Sequence, residues 1–224
     1  MKTLKEGIEE LRTALKPMTF GEKITHLWMY YKWVLFAVVA VVAGISIVVN
    51  AITAKDPLFN GMTMNIVVKE EAKAYLTDGW KAVLGGEEKD RVGLEVMYNT
   101  DEAVMMGQDA LSSNLKMSMM ISSCQLDYVL LDQQAMGEFV TAGAFGDLRE
   151  LLPQEQLELL GKQICYYKDE NENTYPIAVD ISDWAFTKEY LSYAGKAFLA
   201  FPGNTERTAL LSEFLDYIWK WEKP

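Results

Sequence analysis

Short β-prone runs alternate with helical stretches over most of the chain beyond residue 57. Three such runs are MNIVVK at 64–69, GLEVMY at 93–98 and LDYVLL at 126–131. The stretches between them place apolar residues such as Leu76 and Trp80 at helical spacing. Helices between strands favour parallel pairing with right-handed crossovers, and the sheet is then covered on both faces. We therefore predict an α/β domain, built as a three-layer sandwich around a mostly parallel sheet.

The second half of this region continues the same alternation. A helix is expected over Gln133–Thr141, and two β-prone runs, at 163–168 and at Thr174–Asp180, predict a hairpin around the polar turn DENENT. A further strand at 196–201 precedes a C-terminal helix that begins near Glu206. Methionines concentrate between residues 105 and 120, and we expect them to fill the core because Met adapts to irregular gaps.

One uncharged stretch stands before this domain. Residues 33–52 (WVLFAVVAVVAGISIVVNAI) carry no formal charge, and a helix of that length spans roughly 30 Å at about 1.5 Å per residue. Aromatic residues and Lys32 crowd its N-terminal end, as is typical of the headgroup level. Residues 1–32 carry six Lys or Arg against four acids, which places the N-terminus in the cytoplasm. A cleaved signal peptide is the competing interpretation, but its n-region would exceed thirty residues.

These features divide the chain into three parts. We expect residues 1–18 to form a cytoplasmic amphipathic helix, with Leu4, Ile8 and Leu11 on one face. We expect residues 19–54 to form the juxtamembrane and transmembrane helix and residues 55–224 to form the extracytoplasmic α/β domain. We therefore predict a single-pass protein of the cell membrane whose C-terminal domain lies outside.

Composition excludes several function classes for the outer domain. Residues 55–224 hold 15 Lys or Arg against 28 acids, and such a surface repels nucleic acid. The sole histidine, His26, precedes the uncharged stretch, so the outer domain has no histidine for a Ser-His or Cys-His pair or for a zinc site. No phosphate-binding or nucleophile motif occurs in the required setting. We predict no catalysis, no cofactor and no metal. Cys124 and Cys165 permit a disulfide, which the sequence leaves open.

A calcium loop is also disfavoured. Asp169, Asn171 and Asn173 have the opening spacing of such a loop, and Asp180 stands at its twelfth position. However, Thr174 replaces the glycine that the sharp turn needs, and strands flank the segment, so a solvated hairpin is the better interpretation.

Polar residues follow two of the predicted strands. Open α/β sheets bind ligands outside the carboxyl ends of their strands. The candidate ligand-binding residues are Asp132, Gln133, Asp180, Ser182, Asp183 and Trp184. In this set the indole could stack on a ligand and the carboxylates could accept its hydrogen bonds. The alternative is structural, because Asp and Ser are natural helix N-caps and Trp is often packed.

The segment 126–221 resembles a known protein family. Its runs LDYVLLDQQAMGEFVTAGAFGDLRELL, YPIAVDISDWAF and KAFLAFPGNTERTALLSEFLDYIW are similar to those of bacterial extracellular solute-binding proteins of ABC importers, which have the type-2 periplasmic-binding fold. The resemblance implies one periplasmic-binding-like lobe. The chain departs from the family in having about one lobe rather than two, and a transmembrane helix for an anchor.

Two functions follow from these expectations. The first is a non-catalytic binding module at the outer membrane face, which recognises a small molecule or an extracellular protein segment. The second is a structural or assembly subunit that joins a membrane protein complex through its span and its inner helix.

Overall fold

The chain divides into two compact units, Met1–Lys55 and Asp56–Pro224. A computed structural model describes residues 57–98 and 110–222 of the second unit and, in the first, positions 19, 21, 28, 32–34 and 36–46. Residues 32–34 and 36–46 have helical backbone, and every one of their side chains is exposed.

Among the described residues, no helix combines the length and the apolar character that crossing a membrane requires. The predicted span at 33–52 includes residue 35 and residues 47–52, which lie outside the described part. The predicted amphipathic helix at 1–18 lies wholly outside it. Both stay predictions.

The second unit is a mixed α/β fold with strands distributed along its whole length. The strands are β1 Phe59–Met64, β2 Val67–Val68, β3 Val92–Met97, β4 Tyr128–Asp132, β5 Ile164–Lys168, β6 Thr174–Asp180, β7 Leu191–Ser192 and β8 Ala197–Ala200.

Helices connect most of these strands. They are α1 Glu70–Ala74, α2 Trp80–Val83, α3 Ala110–Ser122, α4 Gln133–Thr141, α5 Leu148–Leu151, α6 Gln154–Leu160, α7 Ala185–Tyr190 and α8 Thr208–Trp219. A π-helical segment, Tyr75–Gly79, joins α1 to α2, and a 3₁₀ turn, Gly161–Gln163, follows α6.

The described strands form a six-stranded sheet in the order β3-β1-β4-β8-β6-β5, with β2 and β7 paired separately. Strands β3, β1, β4 and β6 run in one direction, while β8 and β5 run in the other. The sheet is therefore mostly parallel in strand direction, as predicted. The antiparallel β8 lies between β4 and β6, an arrangement that the alternation of elements did not indicate.

Helices cover both faces of the sheet. On one face an aromatic core packs under α1, α2 and α8, in which Phe59 and Phe214 each make ring contacts with Trp80 and Tyr128. On the other face α3 and α4 pack over a smaller cluster that includes Met62. Alternate residues of β1 and β4 point to opposite faces, as strand geometry requires.

The first predicted strand was placed wrongly. The run at 64–69 was expected to enter the sheet, but β1 spans Phe59–Met64 and the chain leaves the sheet at Asn65, whose φ is +59°. The sheet instead takes in Gly61, where a Cβ atom would overlap the Tyr128 ring. Close packing against a residue 67 positions later therefore decides where this strand lies, and local β propensity does not.

The methionine-rich helix α3 is only partly a core element. Met117 is fully buried, as expected, whereas Met119 and Leu115 are more than half exposed. Residues 105 and 106 lie outside the described part.

Candidate functional site

Two strand ends and one strand start meet at a single edge of the sheet. Strand β4 ends at Asp132, β6 ends at Asp180, and β8 begins between them, with Asp132 opposite Ala197 and Asp180 opposite Phe198. We call the polar group formed here, Asn65, Asp132, Gln133, Asp180, Ser182 and Lys196, the carboxyl edge. Four of the six predicted site residues belong to it.

Asp132 has a structural task at this edge. Its Oδ1 accepts a hydrogen bond from the backbone N–H of Ala135 at 2.8 Å, which makes it the N-cap of α4. The same oxygen accepts a bond from Asn65 Nδ2 at 3.2 Å, and the residue is almost fully buried. The Asp132 carboxylate therefore already accepts two hydrogen bonds from within the protein.

Asp180 is the centre of a second network. Its carboxylate accepts hydrogen bonds from Ser182 Oγ and from Lys196 Nζ, each at 2.6 Å. The Ser182 hydroxyl in turn accepts a bond from the backbone N–H of Ala197 at 3.0 Å. Burial acts to raise the pKa of the Asp180 carboxyl, but the bonds from Lys196 and Ser182 outweigh it and hold that pKa below its ordinary value. These partners fix the end of β6 against the start of β8.

The remaining three predicted residues are placed differently from one another. Gln133 is exposed and lies over Gly195, where a Cβ atom would stand 2.6 Å from Gln133 Oε1. Asp183 faces solvent in an ion pair with Lys188.

Trp184 lies in the interior. It is only 5% exposed, its Nε1 donates to Gln163 Oε1 at 2.8 Å, and its ring stacks on that of Trp219. The indole ring of Trp184 is therefore packed in the interior and is not exposed at the carboxyl edge.

A groove of about 300 Å³ opens elsewhere, on the face of the sheet that α4 covers. It lies beside the hairpin β5–β6, where Tyr167 and Tyr175 are cross-strand partners. We call it the tyrosine groove. Its lining residues are Val140, Gly143, Phe145, Asp147, Tyr167, Tyr175 and Ile177.

Two glycines shape the loop that supplies Phe145 and Asp147. Helix α4 gives way to Gly143, whose φ of +66° suits a residue without a Cβ. Gly146 then approaches the backbone after β8 so closely that a Cβ on it would stand 2.7 Å from the Cα of Gly203. Its N–H donates to the carbonyl of Phe201 at 2.9 Å, so the loop is fixed to the sheet.

An ion pair borders the groove. Asp147 is the N-cap of α5 and accepts two bonds from Arg149 Nε, at 2.9 and 3.0 Å, and a further bond from its Nη2. The Arg149 hydrogen bond holds the pKa of the Asp147 carboxyl below its usual range. The guanidinium also lies over the Tyr175 ring, 5.9 Å from its centroid.

The tyrosine groove was not anticipated from the sequence. Its residues come from the end of α4, the following loop and both hairpin strands, which no single motif unites. One signal was present, since the adjacent residues Tyr166 and Tyr167 on a strand must point to opposite faces. Tyr166 is exposed, and Tyr167 turns toward the groove.

In the described ranges no three His, Cys, Asp or Glu side chains are arranged to hold a metal ion. Cys124 and Cys165 are both free thiols, and burial raises the pKa of Cys165. Comparison with protein-family models, curated proteins and solved structures found no match for the chain.

Proposed function

We propose that the protein is a non-catalytic binding module whose outer domain takes up a small ligand in the tyrosine groove. The observation that supports this proposal is that the tyrosine groove is concave and has a mostly apolar lining. Three aromatic rings and two aliphatic side chains line a groove of about 300 Å³, together with the Asp147 carboxylate. Small-molecule sites are typically of this kind, mostly apolar with a few polar groups that fix orientation.

The carboxyl edge supports a ligand site less well. Asp132 caps a helix, Asp180 is paired with Lys196, and Trp184 is packed in the interior. A ligand there would have to replace hydrogen bonds that are already made, whereas the groove offers unfilled space. The resemblance to one lobe of a solute-binding protein agrees with a binding role and is part of the proposal.

A thermal-shift screen tests the proposal. The full chain, purified in mild detergent, is heated with a panel of neutral, cationic and anionic small molecules. A ligand that binds only the native state raises the melting temperature. We expect at least one compound to raise it in the wild type and to lose that effect in Tyr167→Leu.

Tyr166→Leu is the matched control. It removes the same side chain one position away on the same strand, but from a residue that does not line the groove. Its ligand-induced shift is expected to equal that of the wild type. A panel without any shift, or a shift that Tyr167→Leu leaves intact, would overturn the assignment of the groove.

The proposal places this module at the outer face of a cell membrane, held by the uncharged stretch at 33–52. Supporting it, the described helical residues of that stretch include Trp33, Phe36 and Ile45, each more than half exposed. Neighbouring exposed apolar side chains of this kind are typical of a surface that contacts lipid or protein. Protease added to right-side-out vesicles should remove the outer domain, and protease added to inverted vesicles should leave it whole. The opposite pattern, or a chain that stays in the aqueous fraction, would refute the placement.

A role as an assembly subunit is the second candidate, and one observation favours it. On α3, Leu115 and Met119 are exposed one turn apart and border a shallow depression with Met120. If this surface binds a membrane partner, Leu115→Glu should abolish co-purification of that partner while ligand-induced thermal shifts persist. Retention of the partner by Leu115→Glu would argue against this surface.

A further inference from the structure

The aromatic rings of the tyrosine groove differ from the other aromatic rings of the domain in what they contact. In the core, Phe59, Trp80 and Phe214 pack ring against ring, with centroids 4.8–5.8 Å apart. In the described part of the chain, by contrast, Phe145 and Tyr167 make no ring contact. Aromatic rings gain energy from stacked or edge-to-face neighbours beyond the area they bury. The groove therefore presents aromatic surface that has no aromatic neighbour.

The groove has no net charge to offer a ligand. Among its described lining residues Asp147 alone is charged, and the Arg149 guanidinium neutralises it through paired hydrogen bonds. This neutral pair has no net charge with which to attract either a cationic or an anionic ligand. Moving a charged group into such a site leaves it without a counter-ion, which is unfavourable.

The two tyrosines that line the groove differ in whether their hydroxyl groups already have a hydrogen-bond partner. Tyr175 Oη already donates to Asp169 Oδ2 at 3.3 Å. Tyr167 Oη has no hydrogen-bond partner among the residues that the structure describes. A phenol group can both donate and accept, so Tyr167 can pair with a neutral hydroxyl or carbonyl on the ligand.

From these three observations we propose that the tyrosine groove binds an uncharged aromatic ring that carries a hydroxyl or carbonyl group. The ring packs among Phe145, Tyr167 and Tyr175, and its polar group meets the Tyr167 hydroxyl. This inference rests on the proposed function and specifies the ligand class for the same site.

A set of ligands of similar shape tests the class. Benzyl alcohol is neutral and aromatic, benzylamine is cationic, benzoate is anionic, cyclohexylmethanol lacks the aromatic ring, and glucose is a neutral sugar. Each is titrated into the full chain in mild detergent by ligand-observed NMR. We expect the affinity for benzyl alcohol to be at least about tenfold higher than the affinity for either charged analogue. It should bind about threefold more tightly than cyclohexylmethanol.

Variants separate binding in the groove from partitioning into detergent. Tyr167→Leu should weaken benzyl alcohol binding about three- to tenfold, and Tyr167→Phe should give a smaller loss because it removes only the hydroxyl. The Tyr166→Leu variant is measured in the same detergent and should bind benzyl alcohol as tightly as the wild type does.

The outcomes distinguish a failure of the proposed ligand class from a failure of the proposed binding function of the groove. Tighter Tyr167-dependent binding of benzylamine, benzoate or glucose would overturn the ligand class and leave the binding function standing. The same holds if none of the five ligands binds but a compound outside the proposed class gives a Tyr167-dependent thermal shift. If no compound binds in a Tyr167-dependent way, both the class and the groove as a binding site are overturned.

Discussion

The guanidinium of Arg207 lies 3.2 Å from the carboxylate of Asp127, and that carboxylate is completely buried. Asp127 also accepts bonds from the backbone N–H of Asn60 and from Thr205 Oγ1, each at 2.7 Å. Arg207 Nη2 donates to the carbonyl of Pro57 at 2.9 Å. The Asp127–Arg207 pair thus connects the start of β1, the start of β4 and the start of α8. It lies at the end of β4 opposite to Asp132.

Breaking the pair from one side should destabilise the domain strongly. Arg207→Met leaves the buried Asp127 charge without its counter-ion, and we expect the free energy of unfolding to fall by about 3–5 kcal/mol. Urea unfolding followed by tryptophan fluorescence measures this. The control is Lys188→Met, which breaks the solvent-exposed pair with Asp183 and should lower it by no more than about 1 kcal/mol. Equal effects of the two substitutions would contradict the role of the buried pair.

Two glycine-to-alanine substitutions should act in opposite directions. A Cβ at Gly61 would overlap the Tyr128 ring, so Gly61→Ala should destabilise the domain by about 1–3 kcal/mol. Gly137 lies within α4 with open space around it, so Gly137→Ala should stabilise by about 0.5–1 kcal/mol. Thermal melts of the two variants check the signs, and a neutral Gly61→Ala would contradict the packing of β1 on β4.

Acid should weaken the carboxyl edge through Asp180. Its pKa is depressed in the folded state, because the bonds from Lys196 and Ser182 outweigh the effect of burial. The resulting stabilisation is fully present above the unfolded-state pKa of about 3.9 and is lost as the pH falls through the lower folded pKa. Asp180→Asn should therefore flatten the fall in the free energy of unfolding below about pH 4. Lys196→Met should flatten it too, and an unchanged pH profile in both variants would show that this network contributes nothing.

The loop that carries Phe145 depends on close backbone approach at Gly146. In Gly146→Ala the new methyl group would stand 2.7 Å from Gly203 Cα and 2.8 Å from Leu151 Cδ1, so the loop must shift. We expect weaker binding of benzyl alcohol, by about threefold or more, because misplaced rings lose their stacking geometry. Gly137→Ala, the control in open space, should keep wild-type affinity. Wild-type affinity in Gly146→Ala as well would show that the loop does not shape the groove.

Elements with strong local signals were predicted almost residue by residue. Helix α4 follows the N-cap Asp132 and spans Gln133–Thr141 as expected, because an N-cap residue and its following apolar pattern lie within one short segment. The hairpin of β5 and Thr174–Asp180 was confirmed for the same reason, since a polar turn between two β-prone runs is a local feature.

Features that depend on distant contacts were not predicted. Strand β1 lies at Phe59–Met64 because its glycine accommodates Tyr128, and β8 inserts between β4 and β6 although it follows β6 in the chain. The carboxyl edge was anticipated from the general position of ligand sites in open sheets, but its internal pairing, such as that of Asp180 with Lys196, was not. The tyrosine groove was missed because it needs three separate segments to come together.

The most direct measurement is ¹⁹F NMR of the chain labelled with 3-fluorotyrosine, with resonances assigned by single Tyr→Phe variants. On titration with benzyl alcohol, the resonances of Tyr167 and Tyr175 should shift together and saturate, while that of Tyr166 stays in place. A Tyr167 resonance that does not move at ligand concentrations that raise the melting temperature, or one that moves no more than Tyr166, would contradict ligand binding in the groove.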